Sequence, residues 1–129
     1  LDGGISMPIA YERPMELGYD KIVLVLTREQ GYRKHQEGRW MKRAYDRYFA
    51  PLPSLRQSLR DIPERYNRIQ EELDRLEAEG RIFIIRPDRP VEVSRLEQDV
   101  HKIQALYDEG RRIALEQLPA LKNYLELPQ

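Results

Sequence analysis

Two short segments consist almost entirely of aliphatic and β-branched residues, and they constrain the fold more than any other feature. The first is KIVLVLT at residues 21–27, and the second is RIFIIR at residues 81–86. Neither shows the polar alternation of a strand with one solvated face, so each predicts a strand inside a parallel sheet. Parallel strands need a crossover connection and helices that cover the sheet. We therefore expect an α/β fold with a partial parallel sheet and long covering helices.

A stripe of apolar residues runs through the segment between the two strands. Its members follow one another at alternating spacings of four and three: Leu55, Leu59, Ile62, Tyr66, Ile69, Leu73 and Leu76. The spacing predicts an amphipathic helix that ends at Gly80. Ser54 and Gln57 are its predicted capping box. Because the phase continues across Pro63, we expect one long kinked helix or two nearly coaxial helices. The spacing also suits a coiled coil, but a position between two strands favours packing within the chain.

Two further helices flank the strands. Residues 8–17 predict a short helix closed by Gly18, and residues 99–118 predict a long one. The predicted apolar face of the long helix comprises Ile103, Leu106, Tyr107, Ala114 and Leu118. Gly110 weakens a helix, which suggests close packing against a neighbour at that point. Pro119 is expected to interrupt the helix, with a short terminal helix at residues 120–127.

The composition excludes several classes of function. Basic and acidic residues number 22 each, so no global field favours nucleic acid. The absence of cysteine excludes a disulfide framework and a thiolate nucleophile. The histidines, His35 and His101, have no metal-ligand spacing, so we expect no metal site. No organic cofactor is expected either. No aliphatic run approaches the roughly 20 residues of a membrane span, which predicts a cytoplasmic chain with at most peripheral membrane contact.

The first residues, LDGG, place Asp2 before Gly3 and Gly4. Aspartate and glycine both favour turns for local reasons, so an ordinary turn is one explanation. A general base at the end of a strand is the other, because the two glycines permit a sharp turn and leave room for a substrate. These residues alone leave both explanations open.

Four blocks follow one another along nearly the whole chain: LDGGISMPI, GYDKIVLVLTREQGYRK, RYNRIQEELDRLEAEGRIFIIRP and RLEQDVHKIQALYDEG. In this order they resemble the C-terminal half of bacterial patatin-like phospholipases. The resemblance implies a Ser-Asp dyad that hydrolyses lipid esters. In it, Asp2 accepts the proton of a serine on a GxSxG elbow, and Gly3 and Gly4 complete the motif. No serine here lies in such an elbow, so the nucleophile and the glycine-rich oxyanion loop are expected outside this chain.

Two regions are expected. Residues 1–35 would form the end of the catalytic core, and residues 36–129 a helix-rich region that contains the second strand. In that interpretation the chain contributes the dyad aspartate to a hydrolase of phospholipids or related lipids. The alternative is a non-catalytic accessory module for docking, oligomerisation or membrane contact. Because a partial sheet exposes its edges, we also expect self-association.

A basic segment with interleaved aromatic residues follows the first strand. Trp40, Lys42, Arg43 and Arg47 are its candidate membrane contacts, since a basic amphipathic helix can lie on an anionic surface. The competing interpretation is that an apolar face packs on the sheet while the basic face is solvated. That face would comprise Met41, Ala44, Tyr45, Tyr48 and Phe49.

Overall fold

Four helices and a parallel pair of strands make up the described part of the chain. A computed structural model describes residues 4, 7–35, 38–94 and 96–127. The elements are α1 (Glu12–Glu16), β1 (Val23–Val25), α2 (Arg39–Tyr48), α3 (Pro53–Ala78), β2 (Phe83–Ile85) and α4 (Val100–Tyr124). Strands β1 and β2 pair in parallel, with Leu24 opposite Ile84. The predicted α/β class, with a small parallel sheet and long helices, is confirmed.

The hydrophobic core lies between the sheet and the C-terminal half of α3. Leu73 and Leu76 of the predicted stripe are 0% and 1% exposed. They pack with residues in or beside the strands and with one residue before α1: Tyr11, Ile22, Ile82 and Ile84. The alternating spacing of the stripe turns its apolar side chains to one face of α3, and the C-terminal part of that face packs against the sheet segments.

Helix α3 is continuous through Pro63, so of the two expected arrangements the structure has one long helix rather than two coaxial ones. Near this proline, Arg65 Nη2 donates to the Ser58 carbonyl at 3.4 Å. The predicted capping box is wrong, because the helix begins at Pro53 and no side chain caps its first turn. A proline suits this position, since its missing donor would have had no partner within the helix. Gly80 ends the helix as predicted, with a φ of +70°.

Helix α4 differs from its prediction in three respects. It continues through Pro119 to Tyr124, so the predicted interruption is wrong. Proline removes one donor, and the carbonyl left without it belongs to Leu115, a residue that is 52% exposed. The predicted apolar face is also largely wrong, because Ile113 alone is buried among the described residues of α4. At Gly110 an added Cβ would meet nothing within 4 Å, so the expected close neighbour is absent from the described structure.

The C-terminal half of α4 is attached to the strands through Tyr124. Its hydroxyl accepts a hydrogen bond from the Ile22 amide at 3.0 Å and lies 3.0 Å from the Arg81 carbonyl. Its ring lies against Phe83, with ring centroids 5.6 Å apart. One hydroxyl thus connects the residue before β1 to the segment that leads into β2.

Candidate functional site

The predicted catalytic motif is only partly described. Asp2 and Gly3 lie outside the described residues, and Gly4 is partly buried. The described part of a candidate site is therefore the carboxyl edge of the sheet, where open parallel sheets bind ligands. Two cavities lie there, one apolar and one polar.

The apolar cavity has a volume of about 380 Å³ and lies between the ends of the strands and α4. Apolar side chains from β1, β2 and α4 supply most of its wall: Val25, Leu26, Ile85, Leu106, Tyr107, Ile113 and Ala114. Gly110 and Arg111 also line it. The sequence pattern assigned Leu106, Tyr107 and Ala114 to the apolar face of the helix but did not predict a cavity there.

The polar cavity has a volume of about 620 Å³ and adjoins Arg86, the residue that follows β2. Arg86 is 8% exposed, and its guanidinium is hydrogen-bonded to both Glu77 and Asp74, with 2.9 Å between Nη1 and Asp74 Oδ1. The single positive charge of Arg86 is thus already compensated by two carboxylates of α3 and is not available to an anionic ligand. Arg86 fixes the end of β2 to α3, and sequence reasoning missed it because a lone arginine after a strand carries no pattern.

The loop after β1 is fixed to α3 by polar contacts. Asn67 accepts a hydrogen bond from the Lys34 amide at 2.7 Å and donates to the Lys34 carbonyl at 3.1 Å. Tyr66 packs edge-on against Tyr32, and Gln70 Nε2 donates to its hydroxyl at 3.0 Å. Burial raises the pKa of Tyr66, because the phenolate would lose hydration. The tyrosine therefore stays neutral and serves as a packing residue.

Helix α2 packs on α3, so the predicted packing of its apolar face on the sheet is wrong. Asp46 pairs with Arg60 and, at 3.7 Å, with Arg56 of α3. Two aromatic side chains of α2 do not take part in this contact, since Trp40 is 72% and Tyr48 is 84% exposed. The sequence could not predict this contact, because periodicity identifies the apolar face of a helix but not the element that packs on it.

The four candidate membrane contacts do not share one face. Trp40, Arg43 and Arg47 are exposed, whereas Lys42 is partly buried. At about 100° per residue, Lys42 lies roughly 160° from Trp40 around the helix. Lys42 is therefore removed from this set.

The described residues form neither of two other kinds of site, a metal centre or a nucleophile elbow at Ser54. No group of three His, Asp or Glu side chains among them is arranged to hold a metal ion. His35 and His101 are exposed. Ser54 lies in the first turn of α3, where a strand-turn-helix elbow cannot form. No helix in the described ranges has the length and apolar character needed to cross a membrane.

Comparison with known proteins identifies the family of this chain. It belongs to the family described as a domain of unknown function (DUF6363), whose model matches residues 52–126, more than half of the 129 residues. No match to a curated protein or to a solved structure was found. The matched segment contains α3, β2 and α4, but β1, with which β2 pairs, lies before it.

Proposed function

We propose that this chain is the C-terminal part of a patatin-like lipid acyl hydrolase that cleaves acyl esters of phospholipids or related lipids. The observation that carries the proposal is the order of four sequence blocks, from Asp2-Gly3-Gly4 through both strand segments to the start of α4. A turn motif alone would be weak support. Its position ahead of a parallel strand pair is what an α/β hydrolase of this kind would need.

In the proposed mechanism the Asp2 carboxylate is the general base. It takes the proton from a serine hydroxyl as the serine oxygen attacks the ester carbonyl, and it passes that proton to the alcohol oxygen as the ester bond breaks and the alcohol leaves. Asp2 then takes a proton from water as the water attacks the acyl-serine, and the fatty acid leaves as the serine hydroxyl is restored. Such a base must come within roughly 2.6–3.2 Å of the hydroxyl oxygen. The serine and the oxyanion donors belong to a part of the protein outside this chain.

The apolar cavity at the carboxyl edge of the sheet supports a lipid substrate. Its wall of aliphatic and aromatic side chains suits an acyl chain, whose burial is favourable because it removes methylene groups from water. Arg111 lies on the same wall and is exposed, so it could face an anionic head group at the rim. A polar substrate would find few partners there.

The test is ester hydrolysis by the longer protein that carries the serine. The Asp2→Asn substitution should lower kcat by about 100-fold or more, since general-base catalysis contributes about 10²–10⁴-fold. Asp20→Asn, at an exposed bend, is the matched control and should leave kcat unchanged. Equal activity of the Asp2→Asn variant and the parent would exclude the dyad role.

A second candidate function is a non-catalytic module for docking or oligomerisation. The observation that favours it is the exposed apolar surface of α4, which includes Val100, Ile103, Tyr107 and Leu118. A surface of this kind on a soluble chain is typical of an interaction site. Under this alternative, the Asp2→Asn variant would hydrolyse esters as well as the parent does.

A further inference from the structure

Helix α2 divides into a face that packs on α3 and a face that is open to solvent. Met41, Tyr45 and Phe49 lie on the packed side and are partly buried. The exposed residues of the other side, here called the α2 outer face, are Arg39, Trp40, Arg43, Arg47 and Tyr48. At about 100° per residue, these five lie within roughly half of the helix circumference.

The positive charge of the α2 outer face has no acidic partner among the residues that the structure describes. Arg39, Arg43 and Arg47 follow one another at intervals of four, and none forms an ion pair with a described residue. The one acidic residue of α2, Asp46, is already paired with two arginines of α3. Like charges four residues apart repel one another along a helix, so an anionic partner would relieve the repulsion.

The aromatic residues of the α2 outer face narrow the choice of partner. Trp40 and Tyr48 lie beside the arginines, two turns apart along the helix, and both are largely exposed. Tryptophan and tyrosine favour the boundary between lipid head groups and acyl chains, because their rings have an apolar body and a polar edge. A helix with arginines and such rings on one side can lie in the plane of a membrane surface.

We propose that the α2 outer face docks this protein on an anionic membrane surface. The three arginines would contact lipid head groups, while Trp40 and Tyr48 enter the boundary region beneath them. This inference rests on the proposed function at one point: a lipid hydrolase favours a lipid surface over other polyanions as the partner. Docking through α2 would hold the protein against the layer that contains its substrate.

The experiment is vesicle binding by the 129-residue chain. The vesicles contain phosphatidylcholine alone or phosphatidylcholine mixed with phosphatidylserine. Because Trp40 is the single tryptophan, its emission reports directly on this face. We expect a blue shift and co-sedimentation with the anionic vesicles, both weakened by added salt, and little binding to phosphatidylcholine alone.

A matched pair of variants separates this face from general charge. Arg43→Gln/Arg47→Gln should weaken the partition coefficient about 30-fold, since each basic residue near an anionic surface contributes about fivefold. Arg68→Gln/Lys102→Gln removes the same charge from exposed positions on α3 and α4 and should change the partition coefficient little. Thermal unfolding of both variants verifies that α2 and the rest of the chain remain folded.

Three outcomes would overturn the proposal. The first is no binding to anionic vesicles, and the second is an equal loss in both variant pairs. The third is binding to a single-stranded oligonucleotide as tight as to vesicles, with no blue shift on vesicles, which would indicate a face for other polyanions. Asp2→Asn should leave vesicle binding unchanged, and Arg43→Gln/Arg47→Gln should leave hydrolysis of a soluble short-chain ester unchanged. The two proposals can therefore fail separately.

Discussion

Helices α3 and α4 have nearly the same length, 26 and 25 residues, but they contribute very differently to the core. Helix α3 buries Leu73, Leu76 and the polar Gln70. Among its described residues, α4 buries Ile113 alone and leaves Tyr107 64% exposed. The comparison shows that an amphipathic pattern predicts a helix more securely than it predicts what the helix will contact.

The difference follows from where each helix meets the sheet. The C-terminal part of the α3 stripe packs against Ile22, Ile82 and Ile84 in and beside the strands, so burial of Leu73 and Leu76 removes apolar area from water. Helix α4 is attached through Tyr124, Ile113 and surface ion pairs such as Arg112 with Asp88 at 2.8 Å. Its N-terminal half depends on Asp99, whose side chain accepts from the His101 amide at 2.9 Å.

The largest effect is expected at Leu73, in the fully buried part of α3. Leu73→Ala should lower the free energy of unfolding by about 2–5 kcal/mol, because the lost methyl groups leave a cavity. Leu115→Ala, on the exposed side of α4, is the control and should change it by less than about 0.5 kcal/mol. Urea unfolding followed by circular dichroism measures both, and similar losses would remove the contrast between the helices.

The next largest effect is expected at Arg86, which joins β2 to α3. Arg86→Met should cost about 1–3 kcal/mol, less than for a fully buried pair, since Asp74 and Glu77 retain partial access to water. Urea unfolding at neutral pH measures the loss.

Arg112→Met, in α4, is the matched control. The hydrogen bond from Arg112 lowers the pKa of the Asp88 carboxyl, so their pairing stabilises the fold above the unfolded pKa of Asp88 and is lost as the pH falls. The effect of Arg112→Met should therefore be small at neutral pH and vanish in acid. A loss as large as that of Arg86→Met would show that α4 depends on surface pairs as much as α3 depends on the core.

A smaller effect is expected at Tyr124, the attachment of α4 to the strands. Tyr124→Phe keeps the ring contact with Phe83 but leaves the buried Ile22 amide without its acceptor, at a cost of about 1–2 kcal/mol. Hydrogen exchange at the Ile22 amide should accelerate in this variant. Tyr48→Phe, on the exposed side of α2, should leave that exchange rate unchanged.

The smallest effect on stability is expected for Ile103→Gln/Tyr107→Gln on the exposed surface of α4. The free energy of unfolding should change by less than about 1 kcal/mol, since both side chains are already largely hydrated. If this surface mediates the expected self-association, light scattering should show smaller particles for the variant. A parent chain that is already monomeric would contradict the self-association.

The sequence predicted those elements whose signals are local. The aliphatic runs around Ile22 and Ile84 identified the parallel strands, and the stripe through Leu73 identified α3. Gly18 and Gly80 ended their helices as expected, because a positive φ after a helix favours glycine.

The errors concern features that depend on neighbours distant in sequence. The apolar stripe of α4 is wide enough that either edge could face the core, and the structure uses the edge with Ile113. The expected break at Pro119 is wrong because the helix loses only one hydrogen bond there, at the exposed residue Leu115, and continues to Tyr124. The contacts of Arg86 and Tyr124 bring together residues that no periodicity connects.

The pairing of β2 with β1 has a consequence for how this family is studied. The matched segment begins at residue 52, yet its strand β2 pairs with β1, and the hydroxyl of Tyr124 accepts a hydrogen bond from the Ile22 amide. The segment that the family model matches is thus shorter than the structural unit, which includes β1. If residues 52–126 were expressed alone, β2 would lack its pairing partner β1. Experiments on relatives should therefore include the residues immediately upstream of the matched segment.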